Sequence, residues 1–466
     1  MKTKSTFLTS KALASSTSLQ AGPDGDGLGL PNDHKRDNID HNKPVIRWMP
    51  AEVCACAVVN WHKRHTEETV SKTLRQTTFI SLSFVFITLA SLGAASAQVA
   101  ELQHLAATHF GADQGVFVQA EDGTVLVAQQ ETRPVHPASV TKVATTLALL
   151  ERLGPNYRFE TRFVSGLPPG SGSRGGDLLV ESGGDPFFVF ENAFLVLRKL
   201  HERGLHEVRG DVRVRGPLIF NWRADPAGHK LKRALQGLDG AEAWAALGEP
   251  RLRLRDVAVR FLATEAQRDG SVAVVHSSPP LLTVLKALNG YSNNVFHQLS
   301  NRIGGPRAVE TIMRERLPSG WQSEVTITNA AGAGDSNRLS PRAAVAILRE
   351  LRRQLRERGK DLPDVLPVNG FDRGTLRKRL VEAGYRGCIV GKTGTSGAVG
   401  ASALTGVLRT PKYGYVAFAI LNSWVPVPEA RMRQDAFLRA LIDATHAQPW
   451  DYAVDDKPIH AEARVD

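Results

Sequence analysis

Strand-like segments lie near both ends of the folded part of this 466-residue chain, and segments of helical length lie between them. Near one end, residues 115–120 and 124–128 are apolar and flank an Asp122-Gly123 pair, which is a strong signal for a β-hairpin. Near the other end, two apolar strand-like segments occupy residues 388–395 and 415–421. Apolar segments of helical length occupy residues 143–153, 279–288 and 295–302. This order predicts an α/β fold of the α+β type, in which a sheet packs against a cluster of helices.

The composition excludes several other classes of protein. With 42% apolar and 23% charged residues, the chain is an ordinary globular protein, and its length favours two or three domains. Three cysteines are too few for a disulfide scaffold. Gly and Pro do not recur at regular intervals, which excludes a collagen-like chain. The net charge of +11 brings nucleic acid into consideration, but the basic residues are scattered along the chain. We therefore expect no nucleic-acid partner.

The first 97 residues differ from the rest of the chain. A basic segment at residues 71–75 is followed by the apolar residues 79–92 and by Ala95-Ser96-Ala97. Regions in this order are typical of a secretory signal, and the apolar region is shorter than the roughly 18 residues of a transmembrane helix. We expect residues 1–75 to be a disordered or untranslated leader and residues 76–97 to be a signal peptide, cleaved after Ala97. A buried helix or an uncleaved anchor is the alternative.

Ser139-x-x-Lys142 stands at the start of a predicted helix. Residues three apart lie on one face of a helix, so the lysine amine can reach the serine hydroxyl. Serine is a weak nucleophile until a neighbouring base accepts its proton, and lysine can be that base when burial or a second cation lowers its pKa. Backbone N–H groups at a helix start can also stabilise a developing oxyanion. The motif alone is weak, and an N-cap serine followed by an exposed lysine is the alternative.

Two further short motifs follow downstream. In Ser292-Asn293-Asn294 the serine could pass a proton to a leaving amine and Asn294 could hold an amide carbonyl; a loop or helix cap is the alternative. Lys392-Thr393-Gly394, followed by Thr395, lies on a predicted strand. A lysine and a hydroxyl on an edge strand suit a substrate carboxylate, and the missing side chain of Gly394 lets an extended peptide lie alongside. The alternative here is a strand that ends in a glycine turn.

In this order, the three motifs are the set shared by penicillin-binding proteins and serine β-lactamases. The chain resembles one branch of that group, the penicillin-binding protein 4 type of D-alanyl-D-alanine carboxypeptidase/endopeptidase, which is the S13 serine peptidase family. The stretches that look like the family are residues 137–142, 180–186, 278–294, 392–395 and 418–422. The resemblance extends over residues 98–445 and implies a penicillin-binding/serine β-lactamase-like transpeptidase fold with an inserted smaller domain.

The resemblance implies a serine D,D-peptidase that cuts D-alanyl-D-alanine bonds or D-amino-acid cross-links in cell-wall peptidoglycan. Ser139 would be the nucleophile and Lys142 the general base, and the N–H groups of Ser139 and Thr395 would form the oxyanion hole. Ser292 would belong to the catalytic set as well. The residues that would bind the substrate are Asn294, Lys392, Thr393, Gly394 and Thr395.

The same resemblance implies no metal and no cofactor, and the 14 histidines show no paired ligand spacing. The expected partners are peptidoglycan stem peptides and cross-links, with β-lactams as covalent inhibitors; a homo-oligomer is left open. An enzyme that acts on peptidoglycan must leave the cytoplasm, so both signal and chemistry place the protein in the periplasm. Two other functions stay open: a catalytically silent wall-binding protein of this fold, and a β-lactamase.

The resemblance also implies how the chain is divided. The expected parts are a peptidase domain of residues 98–160 and 276–446, an inserted domain of residues 161–275 and a polar tail of residues 447–466.

One stretch departs from the family pattern. The family often has a Ser-Gly-Leu-Ser-type stretch before an Asn-Arg-Leu-Ser-Pro segment. Residues 330–334 here read Ala-Ala-Gly-Ala-Gly instead, although the segment 337–341 is intact. This departure bears on local geometry or activity and leaves the three motifs untouched.

Overall fold

The computed structural model describes residues 97–165, 176–248, 253–262, 272–290, 295–455 and 457–466. The predicted leader and all but the last residue of the predicted signal peptide lie outside these ranges, and so do Ser292 and Asn294. All described residues belong to one unit of the chain, residues 83–466. Among them, no helix is long and apolar enough to cross a membrane.

Helices and strands alternate along the described ranges. The helices are α1 (97–110), α2 (Thr141–Leu153), α3 (Phe190–Glu202), α4 (His229–Leu235), α5 (Ala241–Ala246), α6 (Leu254–Val257), α7 (Leu281–Gly290), α8 (Val295–Ser300), α9 (Gly305–Arg316), α10 (Pro341–Arg356) and α11 (Val427–Thr445). The strands are β1 (Gly115–Gln119), β2 (Val125–Gln129), β3 (Glu160–Ser165), β4 (Leu178–Ser182), β5 (Glu207–Val208), β6 (Val212–Arg215), β7 (Ile219–Phe220), β8 (Arg223–Ala224), β9 (Arg260–Phe261), β10 (Val272–Ser277), β11 (Val325–Thr326), β12 (Arg338–Leu339), β13 (Val390–Ser396), β14 (Ala401–Thr410), β15 (Gly414–Ser423) and β16 (Arg464–Val465).

The central sheet has the strand order β13-β14-β15-β1-β2, and each neighbouring pair is antiparallel. The predicted hairpin forms its β1–β2 edge, around Asp122-Gly123. Val116 and Val118 lie in the apolar cluster on one face of the sheet and Phe117 in the cluster on the other. Because both faces are covered, β15 reads as a continuous apolar run rather than as an alternation of apolar and polar residues.

Helices cover both faces of this sheet. On the face of Phe117, helices α2, α7, α8, α9 and α10 pack into one apolar cluster. The first ten residues of α2 are all buried, so the helix that follows the first motif is surrounded by protein. On the other face lie α1 and α11, with Phe110 and Phe437 in edge-to-face contact at 5.3 Å between ring centroids. The predicted α+β fold is confirmed.

A second sheet, β16-β10-β3-β4-β6, is separate from the central sheet. Its pairs are antiparallel, except for the parallel pair β4 and β6. Helix α3 packs against it, and residues such as Phe163, Phe194 and Val274 form an apolar cluster of its own. The strands between residues 160 and 277 thus lie outside the sheet that contains Lys392. That residues 161–275 form an inserted domain stays a prediction.

The end of the chain is not the polar tail that the sequence suggested. Trp450 is buried against the larger apolar cluster, and Arg464 and Val465 pair with Ser277 and His276 at the edge of the second sheet. The backbone of Asp466 adds two hydrogen bonds with Val275. The expectation was wrong because the few apolar residues of this segment find partners far away in sequence, and because β10 offers an open edge for one more strand.

Candidate active site

Ser139 lies in a short 3-10 turn, Ala138–Val140, that leads directly into α2. The turn is pressed against β13. A Cβ atom at Gly394 would lie 2.5 Å from the carbonyl oxygen of Pro137 and 3.0 Å from the amide nitrogen of Ser139. A side chain at this position would force the strand and the turn apart. The glycine of the third motif is therefore what brings β13 up to Ser139.

Lys142 is buried one helical turn after Ser139, with 1% of its surface exposed. Its Nζ donates to Ser139 Oγ at 2.8 Å and to the carbonyl oxygen of Ala331 at 2.5 Å. Burial, and after it the positive charge of Lys392, lower the pKa of Lys142 to about 7. The alternative of an exposed lysine is thus excluded, and a large fraction of this amine is neutral near neutral pH. A neutral amine at hydrogen-bond distance can accept the serine proton.

Lys392 is the second buried cation of the site. Its side chain is completely buried on β13, and this burial lowers its pKa to about 8. Its Nζ donates to the carbonyl oxygen of Thr393 at 2.9 Å. At neutral pH Lys392 is therefore more fully protonated than Lys142. Two lysines with different pKa values can serve two purposes, one as a base and one as the counter-ion of a substrate carboxylate.

Hydroxyl groups and a guanidinium group surround the outer part of β13. Thr393 Oγ1 lies 2.6 Å from Thr375 Oγ1, and Thr395, which is exposed, accepts a hydrogen bond at 2.9 Å from Nη2 of Arg431 on α11. Since β13 is the edge strand of the central sheet, a substrate can reach these groups from the side. The arrangement is suited to an anionic group on an extended peptide.

The stretch that departs from the family pattern lies directly behind Lys142. The carbonyl oxygens of Ala331 and Ala330 accept hydrogen bonds from Lys142 Nζ and from Thr145 Oγ1. Gly332 has a φ of +76°, and a Cβ atom there would overlap the carbonyl oxygen of Ala138. The contribution of this stretch to Lys142 is thus made by backbone carbonyls, which any residue supplies. The effect of the missing serine on activity stays a prediction.

The intact Asn337 segment fixes the same stretch in place. Asn337 Oδ1 accepts hydrogen bonds from the backbone N–H groups of Thr328 and Asn329, and its Nδ2 donates to Thr141 Oγ1 at 3.0 Å. Thr141 is the first residue of α2. The completely buried side chain of Asn337 therefore joins the loop that holds Lys142 to the helix on which Lys142 stands.

The second motif lies outside the described residues, but the helices on either side of it, α7 and α8, are described. Helix α7 ends at Gly290, whose carbonyl oxygen accepts a hydrogen bond from the N–H of Thr375 at 3.3 Å. Asn289 Nδ2 donates to Thr146 Oγ1 on α2 at 3.0 Å. Helix α8 begins at Val295, and the ring of Phe296 lies 5.7 Å from Lys142 Nζ. The structure thus brings the first and third motifs together. The positions of Ser292 and Asn294 stay predictions.

Several residues of the site were missed in the sequence. They are Phe296, Ala331, Asn337 as a side-chain anchor, Thr375 and Arg431. The intact Asn337 segment was a family signal that could have indicated one of them. The others contact the motifs only through the fold and have no local pattern. In the described ranges, no three His, Cys, Asp or Glu side chains lie close enough together to hold a metal ion.

Comparisons with known proteins give a family for this chain and several structures of similar fold. The model of the family described as D-Ala-D-Ala carboxypeptidase 3 (S13) matches residues 96–219 and 238–441. No curated protein matches the chain.

Several solved structures are similar in fold. One is the penicillin G acylated predatory endopeptidase Bd3459 of Bdellovibrio bacteriovorus in complex with immunity protein Bd3460; at 22% identity and a TM-score of 0.61, the match covers 74% of this chain and 96% of that one. Another is the predatory endopeptidase Bd0816 of the same organism, with 21% identity, a TM-score of 0.57 and coverage of 73% and 95%. Penicillin binding protein 4 (dacB) of Haemophilus influenzae has 18% identity, a TM-score of 0.52 and coverage of 74% and 98%. These likenesses show a shared fold.

Proposed function

The chain belongs to the D-Ala-D-Ala carboxypeptidase 3 (S13) family of serine peptidases, and we propose that it hydrolyses D-alanyl-D-alanine bonds of peptidoglycan through an acyl-enzyme on Ser139. One observation supports the choice of nucleophile above all others. The amine of Lys142 lies 2.8 Å from Ser139 Oγ, and burial has lowered the pKa of that amine to about 7. A serine with a poised base beside it is what covalent catalysis requires.

The reaction begins with a proton transfer. Neutral Lys142 accepts the proton of Ser139 Oγ while this oxygen attacks the carbonyl carbon of the scissile bond. The oxyanion that forms lies between the backbone N–H groups of Ser139 and Thr395. Protonated Lys142 then gives up this proton, which passes through the hydroxyl of Ser292 to the nitrogen of D-alanine as the C–N bond breaks. D-alanine leaves, the acyl group stays on Ser139 as an ester, and Lys142 is neutral again. Water attacks the resulting ester, which releases the shortened peptide and restores Ser139.

Binding of the substrate depends on β13. Protonated Lys392 and the hydroxyl of Thr393 attract the terminal carboxylate, and Asn294 and Ser292 complete the site from the second motif. Gly394 lets the peptide backbone approach the strand. A β-lactam presents a carboxylate and a strained amide in a similar arrangement, and Bd3459, a protein of the same fold, is acylated by penicillin G. We therefore expect β-lactams to acylate Ser139 and to inhibit the enzyme covalently.

The wild-type protein, one variant and two substrates test this function. Labelled penicillin should form a stable adduct on Ser139, and a D-alanyl-D-alanine peptide should lose D-alanine. Ser139→Ala should abolish both reactions. Rapid turnover of penicillin would instead identify a β-lactamase, and the absence of both reactions would favour a silent wall-binding protein. Mass spectrometry that locates the adduct on another serine would contradict the assignment.

We further propose that the protein is exported to the periplasm. The support is the sequence of residues 71–97, with a basic, an apolar and a small-residue region in the order of a secretory signal. The peptidoglycan substrate requires the same location. N-terminal sequencing of the exported protein should begin at Gln98. A mature protein that begins upstream of Phe79, or that stays in the cytosol, would contradict this proposal.

A further inference from the structure

Trp424, at the end of β15, is the most exposed large apolar side chain in the described part of the protein, with 81% of its surface exposed. Its backbone is nevertheless fixed. Its φ is +60°, and its N–H donates to the carbonyl oxygen of Gly400 at 2.8 Å. The left-handed region is strained for a non-glycine residue, and such residues cluster at functional sites. An indole that is both held and exposed is a candidate for contact with a ligand.

Trp424 lies close to the catalytic edge of the central sheet. Ser396, the last residue of β13, pairs with Ala401 of β14, and Ala401 pairs with Ser423 of β15. Adjacent strands are about 4.8 Å apart, so Ser423 is about 10 Å from Ser396 across the sheet. Trp424 is the next residue. Its indole lies near Gly400, in the turn that leads from β13 into β14, because a Cβ atom at Gly400 would be 3.5 Å from Cε3 of the ring.

The direction of the bound peptide follows from the proposed function, on which this inference rests. The terminal carboxylate lies at Lys392 and Thr393, and the scissile carbonyl lies at the N–H of Thr395. The remainder of the stem peptide, on the acyl side of the scissile bond, then runs past Ser396 and leaves β13 at the end of the sheet where Trp424 also lies. Four extended residues span about 13 Å. In peptidoglycan a stem of about this length is attached to a sugar at its far end. That sugar can therefore reach the indole.

We propose that Trp424 stacks on a sugar ring of the glycan strand, so that the enzyme distinguishes stem peptides attached to glycan from free stem peptides. Sugar rings present apolar C–H faces between polar edges, and an indole offers a flat apolar face together with one N–H donor. A single exposed tryptophan can account for much of the affinity of such a contact. Trp424 is a specificity residue in this proposal, and it takes no part in the chemical step.

The test compares two substrates that have the same peptide. One is a stem peptide attached to an N-acetylglucosamine–N-acetylmuramic acid disaccharide, and the other is the free stem peptide. In the wild-type protein the glycan-linked substrate should have the lower KM. The quantity compared is kcat/KM for the glycan-linked substrate divided by kcat/KM for the free peptide. Trp424→Ala should lower this ratio by about tenfold, through a higher KM for the glycan-linked substrate. Trp424→Phe should restore most of the ratio, because it retains an aromatic face.

Trp222→Ala is the matched control. Trp222 is also an exposed tryptophan with a positive φ, 42% exposed and +69°, and it lies in the turn between β7 and β8 rather than next to β13. It should leave the ratio unchanged. A Trp424→Ala protein that loses activity equally on both substrates, or that keeps the wild-type ratio, would overturn the inference. Wild-type protein that cleaves neither substrate and takes up no penicillin would contradict the proposed function instead.

Discussion

At the scale of single residues, the site is determined by two buried lysines with different tasks. Lys142 and Lys392 both have pKa values below the ordinary value for lysine, near 7 and near 8, and burial is the main cause in each. The charge of Lys392 lowers the pKa of Lys142 further. Each residue therefore acts in one protonation state, Lys142 as a neutral base and Lys392 as a cation.

The rate of acylation should depend on pH in a bell shape. It should rise as Lys142 loses its proton near pH 7, and it should fall as Lys392 loses its proton near pH 8. The measurement is the second-order rate constant for labelled penicillin between pH 5 and about 10. Lys142→Ala should slow acylation by about 10²- to 10⁴-fold and remove the rising limb. A wild-type rate that stays flat across this range would contradict both assignments.

Gly332 should be far less tolerant of substitution than its neighbour Gly334. Both have a positive φ, +76° and +82°, so alanine costs about 1–2 kcal/mol of backbone strain at either position. At Gly332 the added Cβ atom would also overlap the carbonyl oxygen of Ala138, whereas at Gly334 nothing lies within 4 Å. Gly332→Ala should therefore reduce both the thermal midpoint and penicillin labelling. Gly334→Ala should retain labelling, and equal effects of the two changes would contradict this role for Gly332.

At the scale of elements, the site forms where one strand packs closely against one helical turn. β13 can lie against the Ala138–Val140 turn because Gly394 has no side chain. Helix α2 holds the turn from behind, and the first ten residues of this helix are buried. The catalytic geometry thus depends on a contact between the third motif and the first, more than 250 residues apart in sequence.

Gly394→Ala should disrupt this contact. Its Cβ atom would lie 2.5 Å from the carbonyl oxygen of Pro137, so the strand and the turn must separate. We expect penicillin labelling to fall by at least tenfold while the protein remains folded, since the clash is confined to the site. Gly397→Ala, just beyond the same strand, is the control, because nothing lies within 4 Å of its added Cβ atom. Normal labelling of Gly394→Ala would show that the close approach is not needed.

At the scale of the whole molecule, the two sheets are supported by different apolar clusters. The central sheet lies between two of these clusters, and the second sheet has the third. The final residues of the chain belong to the second sheet, where β16 pairs with β10. The described residues therefore begin at the central sheet and end at the second one.

Deletion of residues 464–466 should destabilise the second sheet more than the catalytic site. The deletion removes the β16–β10 pairing and both backbone hydrogen bonds between Asp466 and Val275. We expect a lower thermal midpoint, by about 1–2 °C per kcal/mol lost in a protein of this size, and near-normal penicillin labelling at low temperature. Arg464→Ala keeps the backbone pairing and should have little effect. Complete loss of labelling in the truncated protein would show that the two sheets are not independent in this way.

The sequence by itself determined the family, the α+β class, the hairpin at Asp122-Gly123 and the first and third motifs that meet at β13. Periodicity and turn chemistry are local, and short motifs keep their meaning without the rest of the chain. Only the tertiary structure decided that Lys142 is buried, that the carbonyl of Ala331 holds it from 189 residues away, and that Arg431 and Thr375 contact β13. It also decided that the supposed tail adds a strand. Burial and the pKa values that follow from it depend on which distant segments surround a side chain, and no local pattern contains that information.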